Sequence, residues 1–107
     1  MSRDRAGKPD RNKNKAAGHN VQRLSTSHPR FLDDLQYWVE HDPRTAARLI
    51  RLVKETLRDP FEGIGKPELL RGEQGVWSRR ITEEHRFTYR VVDNGIHLLQ
   101  ARFHYSE

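Results

Sequence analysis

Residues 86–105 read RFTYRVVDNGIHLLQARFHY, and this stretch decides the fold because two alternating segments flank one turn. Arg86–Val92 and Ile96–Tyr105 both alternate apolar and polar residues, which is the period of a half-buried β-strand. The residues between them, Asp93-Asn94-Gly95, are typical of a turn. The stretch therefore predicts an antiparallel hairpin with one apolar face, and that face needs a covering layer.

The length of the turn decides which side chains share a face of the hairpin. A two-residue loop would place Phe87 opposite Arg102, which mixes apolar with charged positions. A three-residue loop, with Gly95 in the left-handed region, pairs Val92 with Ile96. We expect the three-residue loop, because a slip of one residue would bury charges. The apolar face then holds Phe87, Tyr89, Val91, Leu99, Ala101 and Phe103, and the open face holds Arg86, Thr88, Arg90, Gln100, Arg102 and His104.

The covering layer is predicted upstream, where the apolar period is 3.6 residues instead of 2. Ser27 is a candidate N-cap, and Pro29 suits the first turn of a helix that runs to about Glu40. A three-residue link leads to a second, antiparallel helix, which begins at Asp42-Pro43 and ends at Asp59-Pro60. The apolar stripes are Phe31, Leu32, Leu35, Trp38 and Val39 in the first helix and Ala46, Leu49, Ile50, Val53 and Leu57 in the second.

The order of these elements predicts the fold class. With three further short strands it becomes βααββββ, an α+β domain in which both helices cover one face of an antiparallel sheet. These strands are Val21–Thr26, Glu68–Arg71 after the loop FEGIGKP, and Val76–Thr82, where Trp77, Arg79 and Ile81 share a face.

Charge is concentrated at the N-terminus of the 107-residue chain. Residues 1–20 carry six of the 20 Lys and Arg, two of the 15 acids, and no Val, Ile, Leu, Phe, Trp or Tyr. Such a segment has nothing to bury, so we predict a disordered tail at residues 1–20 and one domain at residues 21–107. The tail is either a solvated extension, an upstream start codon chosen in error, or an electrostatic arm for an anionic partner.

Composition also excludes several classes of protein. Without cysteine there is no disulfide framework and no thiolate metal site. No stretch approaches the ~20 apolar residues of a membrane span, and the N-terminus lacks the apolar region of a secretory signal. The histidines lack metal-ligand spacing. We therefore expect a cytoplasmic protein with no membrane contact, metal or cofactor.

The predicted open face places two arginines and a histidine together. Like charges opposite each other destabilise a sheet, but an anion-binding face tolerates them, and phosphate suits the guanidinium geometry. The nearest acid by strand order is Glu68, provided that its strand borders the same sheet. A carboxylate, an arginine and a histidine around one phosphodiester are the parts of a metal-independent RNase. A charged face is also commonly just solvated, so the pattern alone leaves both interpretations open.

Three segments carry a resemblance to a known family: FEGIGKPELLRG at 61–72, WSRRITEEHRFTYRV at 77–91 and ARFHY at 101–105. They resemble the Txe/YoeB branch of the RelE/ParE toxin superfamily, and the similarity runs from about Val21 to Tyr105. The resemblance implies a RelE/ParE-like fold and a ribosome-dependent mRNA interferase of a bacterial type II toxin–antitoxin system. Such toxins cut mRNA in the ribosomal A site, and a cognate antitoxin of the YefM/Phd type inhibits them. A homodimer is compatible with it.

The resemblance also implies roles for individual residues. Glu68 matches the general base, and Arg86 matches the arginine that stabilises the scissile phosphate. His104 matches the general acid, and Tyr105 matches a residue that positions the substrate. Further candidate substrate contacts are Arg71, Arg79, Arg80 and Arg102. Relatives often carry Lys at the position of Arg71. Arg79 and Arg80 are either solvated or touch ribosomal RNA.

Two other functions stay open at this point. The first is a non-nucleolytic toxin that resembles ParE and inhibits DNA gyrase by binding. The second is a degenerate toxin that survives as an antitoxin-binding module. The joint presence of Glu68, Arg86, His104 and Tyr105 favours the endoribonuclease.

Overall fold

The computed structural model describes residues 23–72 and 74–103, in which two helices pack on one face of a five-stranded sheet. This confirms the predicted α+β class and the order βααββββ. None of the described helices is long and apolar enough to cross a membrane. The elements are β1 (Leu24–Ser27), α1 (Pro29–His41), α2 (Pro43–Arg58), β2 (Glu68–Leu69), β3 (Val76–Arg80), β4 (Arg86–Val92) and β5 (Gly95–Gln100).

The sheet is mixed, although we predicted a wholly antiparallel one. The strand order is β1-β5-β4-β3-β2, with β1 parallel to β5 and every other neighbour antiparallel. No tight turn links β1 to β5, so chain connectivity leaves the direction of β1 free. Gly95 permits the close approach, because a Cβ atom there would lie 2.7 Å from the carbonyl oxygen of Leu24.

The helix starts agree with the sequence at α2 and differ at α1. Asp42 caps α2: its carboxylate accepts from Thr45 N (3.3 Å) and Thr45 Oγ1 (2.8 Å), and these hydrogen bonds hold its pKa below the ordinary value. At α1 the cap is His28, whose Nδ1 accepts from Arg30 N, because Ser27 is the last residue of β1. Asp42 alone links the two helices, since α1 extends to His41, so the three-residue link was wrong.

The β4–β5 turn corrects the predicted hairpin. The loop has two residues, Asp93 and Asn94, and Val92 lies opposite Gly95. Asn94 takes the left-handed conformation (φ 66°), which Asn tolerates better than most residues, so the predicted three-residue loop with a left-handed Gly95 was wrong. A β-bulge at Leu99 then restores the predicted register beyond it, with Thr88 opposite Gln100.

The bulge decides which β5 side chains enter the core. Ile96 and Leu98 are buried before it and Ala101 after it, whereas Leu99 is only half-buried and Phe103 is exposed, contrary to our prediction. The helices contribute fewer apolar residues than predicted, since Leu32, Val39 and Ile50 are exposed. The rest of the buried cluster is Phe31, Trp38, Ala46, Leu49, Leu52, Ile81, Phe87 and Tyr89.

Arg79 organises the loop between α2 and β2. It is fully buried, its Nε donates to the hydroxyl of Tyr89 (3.2 Å), and that hydroxyl donates to the carbonyl of Pro60 (2.7 Å). Burial raises the pKa of Tyr89 despite the nearby guanidinium, which keeps the phenol protonated. The Arg79 side chain also donates to three loop carbonyls, those of Asp59 (2.6 Å), Ile64 (3.0 Å) and Glu62 (3.1 Å).

Candidate functional site

The structure brings Glu68 and Arg86 together at the open edge of the sheet. Glu68 lies in β2 opposite Ser78 of β3, and Arg86 reaches diagonally across from β4. Arg86 Nη1 donates to Glu68 Oε1 (3.3 Å) and to Ser78 Oγ (3.1 Å). The Glu68 side chain is 62% exposed and that of Arg86 is 20% exposed. An exposed carboxylate therefore lies beside a largely buried cation.

The guanidinium of Arg86 suits an anion. A guanidinium has five N–H donors, and within the described residues Nη1 is the one Arg86 nitrogen with a side-chain hydrogen bond. The other nitrogens can bind two oxygens of one phosphate. The arrangement can hold a phosphodiester with its sugar next to the Glu68 carboxylate.

Ser78 belongs to the site, and sequence analysis missed it. It is fully buried and accepts from Arg86 Nη1, so it fixes the direction in which the guanidinium points. The register of β2 on β3, with Glu68 opposite Ser78, is the signal that would have found it. The two-residue length of β2 hides that register in the sequence.

His104 and Tyr105 lie outside the described residues, whose last member is Phe103. The Phe103 carbonyl accepts from the backbone N–H of Arg86 (3.2 Å). Its own N–H donates to His85 Nδ1 (2.8 Å). Phe103 therefore lies beside the residue that we expect to bind phosphate.

Arg102 does not share the open face with Arg86, contrary to the prediction. Its guanidinium lies over the ring of Tyr37 in α1, at 3.4 Å from the ring centroid. Strand alternation stops applying because β5 ends at Gln100, and the cation–π contact holds Arg102 on the helical side.

The three other candidate arginines differ in exposure. Arg71 and Arg80 are exposed, and Arg80 lies opposite Arg86 in the β3–β4 register. Arg79 is fully buried on loop carbonyls, so we leave it out of the substrate contacts. Within residues 23–72 and 74–103 no group of three or more His, Asp or Glu is placed to hold a metal ion.

Comparison with known proteins identifies the family of this chain. The sequence pattern of the YoeB-like toxins of bacterial type II toxin–antitoxin systems matches residues 28–105. Toxin RelK of Mycobacterium tuberculosis is 51% identical over 72% of this chain and 92% of its own length. Toxin YoeB of Escherichia coli is 50% identical over 68% of this chain and 88% of its own.

Solved structures show the same similarity. The YoeB dimer of Staphylococcus aureus superposes with a TM-score of 0.73 at 36% identity, over 78% of this chain and 99% of that one. YoeB in a heterotetrameric complex with YefM, from the same organism, gives a TM-score of 0.69 over the same shares. The chain therefore belongs to the YoeB-like toxins of bacterial type II toxin–antitoxin systems.

Proposed function

We propose that this toxin is an endoribonuclease that cleaves mRNA in the ribosomal A site by metal-independent attack of a ribose 2′-OH. The observation that carries the proposal is the pairing of Arg86 Nη1 with Glu68 Oε1 at 3.3 Å, on an open edge where RNA has access. A carboxylate beside a phosphate-binding guanidinium supplies the base and the charge stabilisation that this reaction needs.

The proposed reaction uses three side chains. Glu68 accepts the 2′-OH proton as the 2′ oxygen attacks the adjacent phosphorus, and Arg86 neutralises the developing phosphorane. The bond from phosphorus to the 5′ oxygen then breaks, and His104 gives that oxygen a proton. The products are a 2′,3′-cyclic phosphate and a 5′-hydroxyl. Tyr105 positions the substrate, and the exposed Arg71 and Arg80 contact its backbone.

Exposed cations on α2 support the dependence on the ribosome. Arg44, Arg51 and Lys54 are exposed and have no ion pair within the described part of the chain, whereas Arg58 pairs with Glu55 at 3.8 Å. Arg44, Arg51 and Arg58 recur every seven residues, so they form one ridge with a spacing of about 10 Å. Ribosomal RNA phosphates suit such a ridge.

The family relationship also supports partners for this chain. We propose a cytoplasmic toxin that a YefM/Phd-type antitoxin inhibits and that is able to form a homodimer. The Staphylococcus aureus relatives described as a YoeB–YefM complex and as a YoeB dimer support both parts.

End mapping of a translated message tests the proposal. We expect cuts within the A-site codon when ribosomes are present, with a 2′,3′-cyclic or 3′ phosphate on one fragment and a 5′-hydroxyl on the other. Naked RNA should stay intact. Gyrase inhibition with intact mRNA would indicate a ParE-like toxin instead, and antitoxin binding without either activity would indicate a degenerate toxin.

A further inference from the structure

Helix α1 holds the chain at the point where β5 has already ended. Ala101 follows the last residue of β5 and is fully buried. Asp34 Oδ2 accepts from the Ala101 N–H at 2.8 Å. Trp38 Nε1 donates to the Ala101 carbonyl at 2.8 Å. Two α1 side chains, one turn apart, therefore bind both backbone polar groups of a single residue.

The carboxylate of Asp34 is an unfavourable choice for simple packing. The residue is only 5% exposed, and burying a carboxylate is costly unless hydrogen bonds compensate it. Within the described residues its ion-pair partner is Arg30, with Nε at 3.6 Å from Oδ2. The hydrogen bond from Ala101 N–H is the shorter contact. The geometry therefore indicates that Asp34 serves to hold the backbone of Ala101 in place.

The two residues after Ala101 are fixed as well. Arg102 lies on the ring of Tyr37, and Phe103 N–H donates to His85 Nδ1. Phe103 has a φ of 64°, which is unfavourable for a residue other than Gly and needs surrounding contacts to hold it. The indole of Trp38 packs edge-on against the His85 ring, with centroids 4.9 Å apart. α1 therefore contacts Ala101 and Arg102 directly, and through Trp38 it packs against His85, which binds Phe103.

We propose that Asp34 and Trp38 are positioning residues for the general acid of the cleavage reaction. The inference rests on the proposed function, in which His104 protonates the leaving 5′ oxygen. His104 is three residues beyond Ala101 in the sequence, so these hydrogen bonds fix the described chain shortly before the proposed acid. A misplacement of about 1 Å in a reacting group lowers a rate by up to ~10²-fold.

A pair of substrates separates acid positioning from a general loss of structure. The first is a synthetic message with the natural linkage at the cut site. The second has sulfur in place of the bridging 5′ oxygen, and its thiolate leaves without needing a proton. The measurement is single-turnover cleavage of each message on ribosomes by the full chain.

The variants remove the Ala101 contacts one at a time. Trp38→Phe deletes the N–H donor and keeps an aromatic ring, and Asp34→Ala deletes the acceptor. We expect both to cleave the natural message about 10- to 100-fold more slowly, and the sulfur message within about threefold of the wild-type rate. Asp34→Asn keeps an acceptor oxygen for Ala101 N–H, so it should cleave the natural message at nearly the wild-type rate.

Two controls complete the design. Val39→Ala, on the exposed side of α1, should not affect either message. His104→Ala should be slow on the natural message and recover on the sulfur one; without that recovery His104 is not the acid, and the proposed function and the inference both fail. Recovery for His104→Ala but equal losses on both messages for Trp38→Phe and Asp34→Ala would overturn the inference alone.

Discussion

Replacing Glu68 with Gln is expected to lower the rate of mRNA cleavage on the ribosome by about 10²- to 10⁴-fold. Replacing Arg86 with Gln is expected to lower that rate by about 10²- to 10³-fold. Glutamine nearly preserves the size of Glu68 and removes its ability to take a proton. In place of Arg86 it removes the charge that neutralises the phosphorane. Folding should survive, because the 3.3 Å pair lies at the surface, with Glu68 62% exposed.

Single-turnover cleavage on ribosomes measures these losses, with thermal unfolding as the check on folding. Glu83→Gln is the control for Glu68, since it changes an exposed carboxylate between β3 and β4. Arg90→Gln is the control for Arg86. Arg90 lies four residues further along β4, and its side chain donates to the backbone carbonyl of Gln74. Cleavage at the wild-type rate by the Glu68 and Arg86 variants would show that neither residue takes part in catalysis.

Replacing Arg79 with Met should produce the largest loss of stability. The substitution fills similar space but leaves three loop carbonyls and the Tyr89 hydroxyl without the donors that they have in the native fold. A buried polar group without a partner costs about 1–3 kcal/mol, and these groups share one loop, so we expect a loss of about 3–5 kcal/mol.

Urea denaturation of Arg79→Met beside Arg80→Met measures the effect. Arg80 is the next residue of β3 and is exposed, so its substitution should change the free energy of unfolding by less than about 0.5 kcal/mol. Equal midpoints for the two variants would mean that the loop holds together without the Arg79 hydrogen bonds.

The elements were predictable from the sequence because their signals are local. The apolar period of 3.6 and the Asp-Pro pairs at its two ends predicted α2 at the residues where the structure has it. Alternation predicted the ends of β3 and β4 to within two residues of the observed ends. The β4–β5 turn was not predictable in the same way. The bulge at Leu99 recovers beyond it the register that the three-residue loop predicts, so the alternation of the strands does not distinguish the two loop lengths.

The site was predictable in part. Resemblance and strand order pointed to Glu68 and Arg86, which lie together. Alternation failed for Arg102, since the strand ends at Gln100 and Tyr37 of α1 offers its ring. The burial of Arg79 depends on carbonyls 15 to 20 residues away in the sequence, which no periodicity records.

A single 2′-deoxy nucleotide tests the central claim most directly. The message carries deoxyribose only on the 5′ side of the expected cut. Its cleavage by the wild-type toxin is measured on ribosomes. If Glu68 and Arg86 direct the neighbouring 2′-OH to the phosphate, cleavage at that linkage should stop while the all-ribose message is cut. Cleavage of the deoxy message at the all-ribose rate would mean that a nucleophile other than the 2′-OH attacks the phosphate, and this would contradict the proposed mechanism.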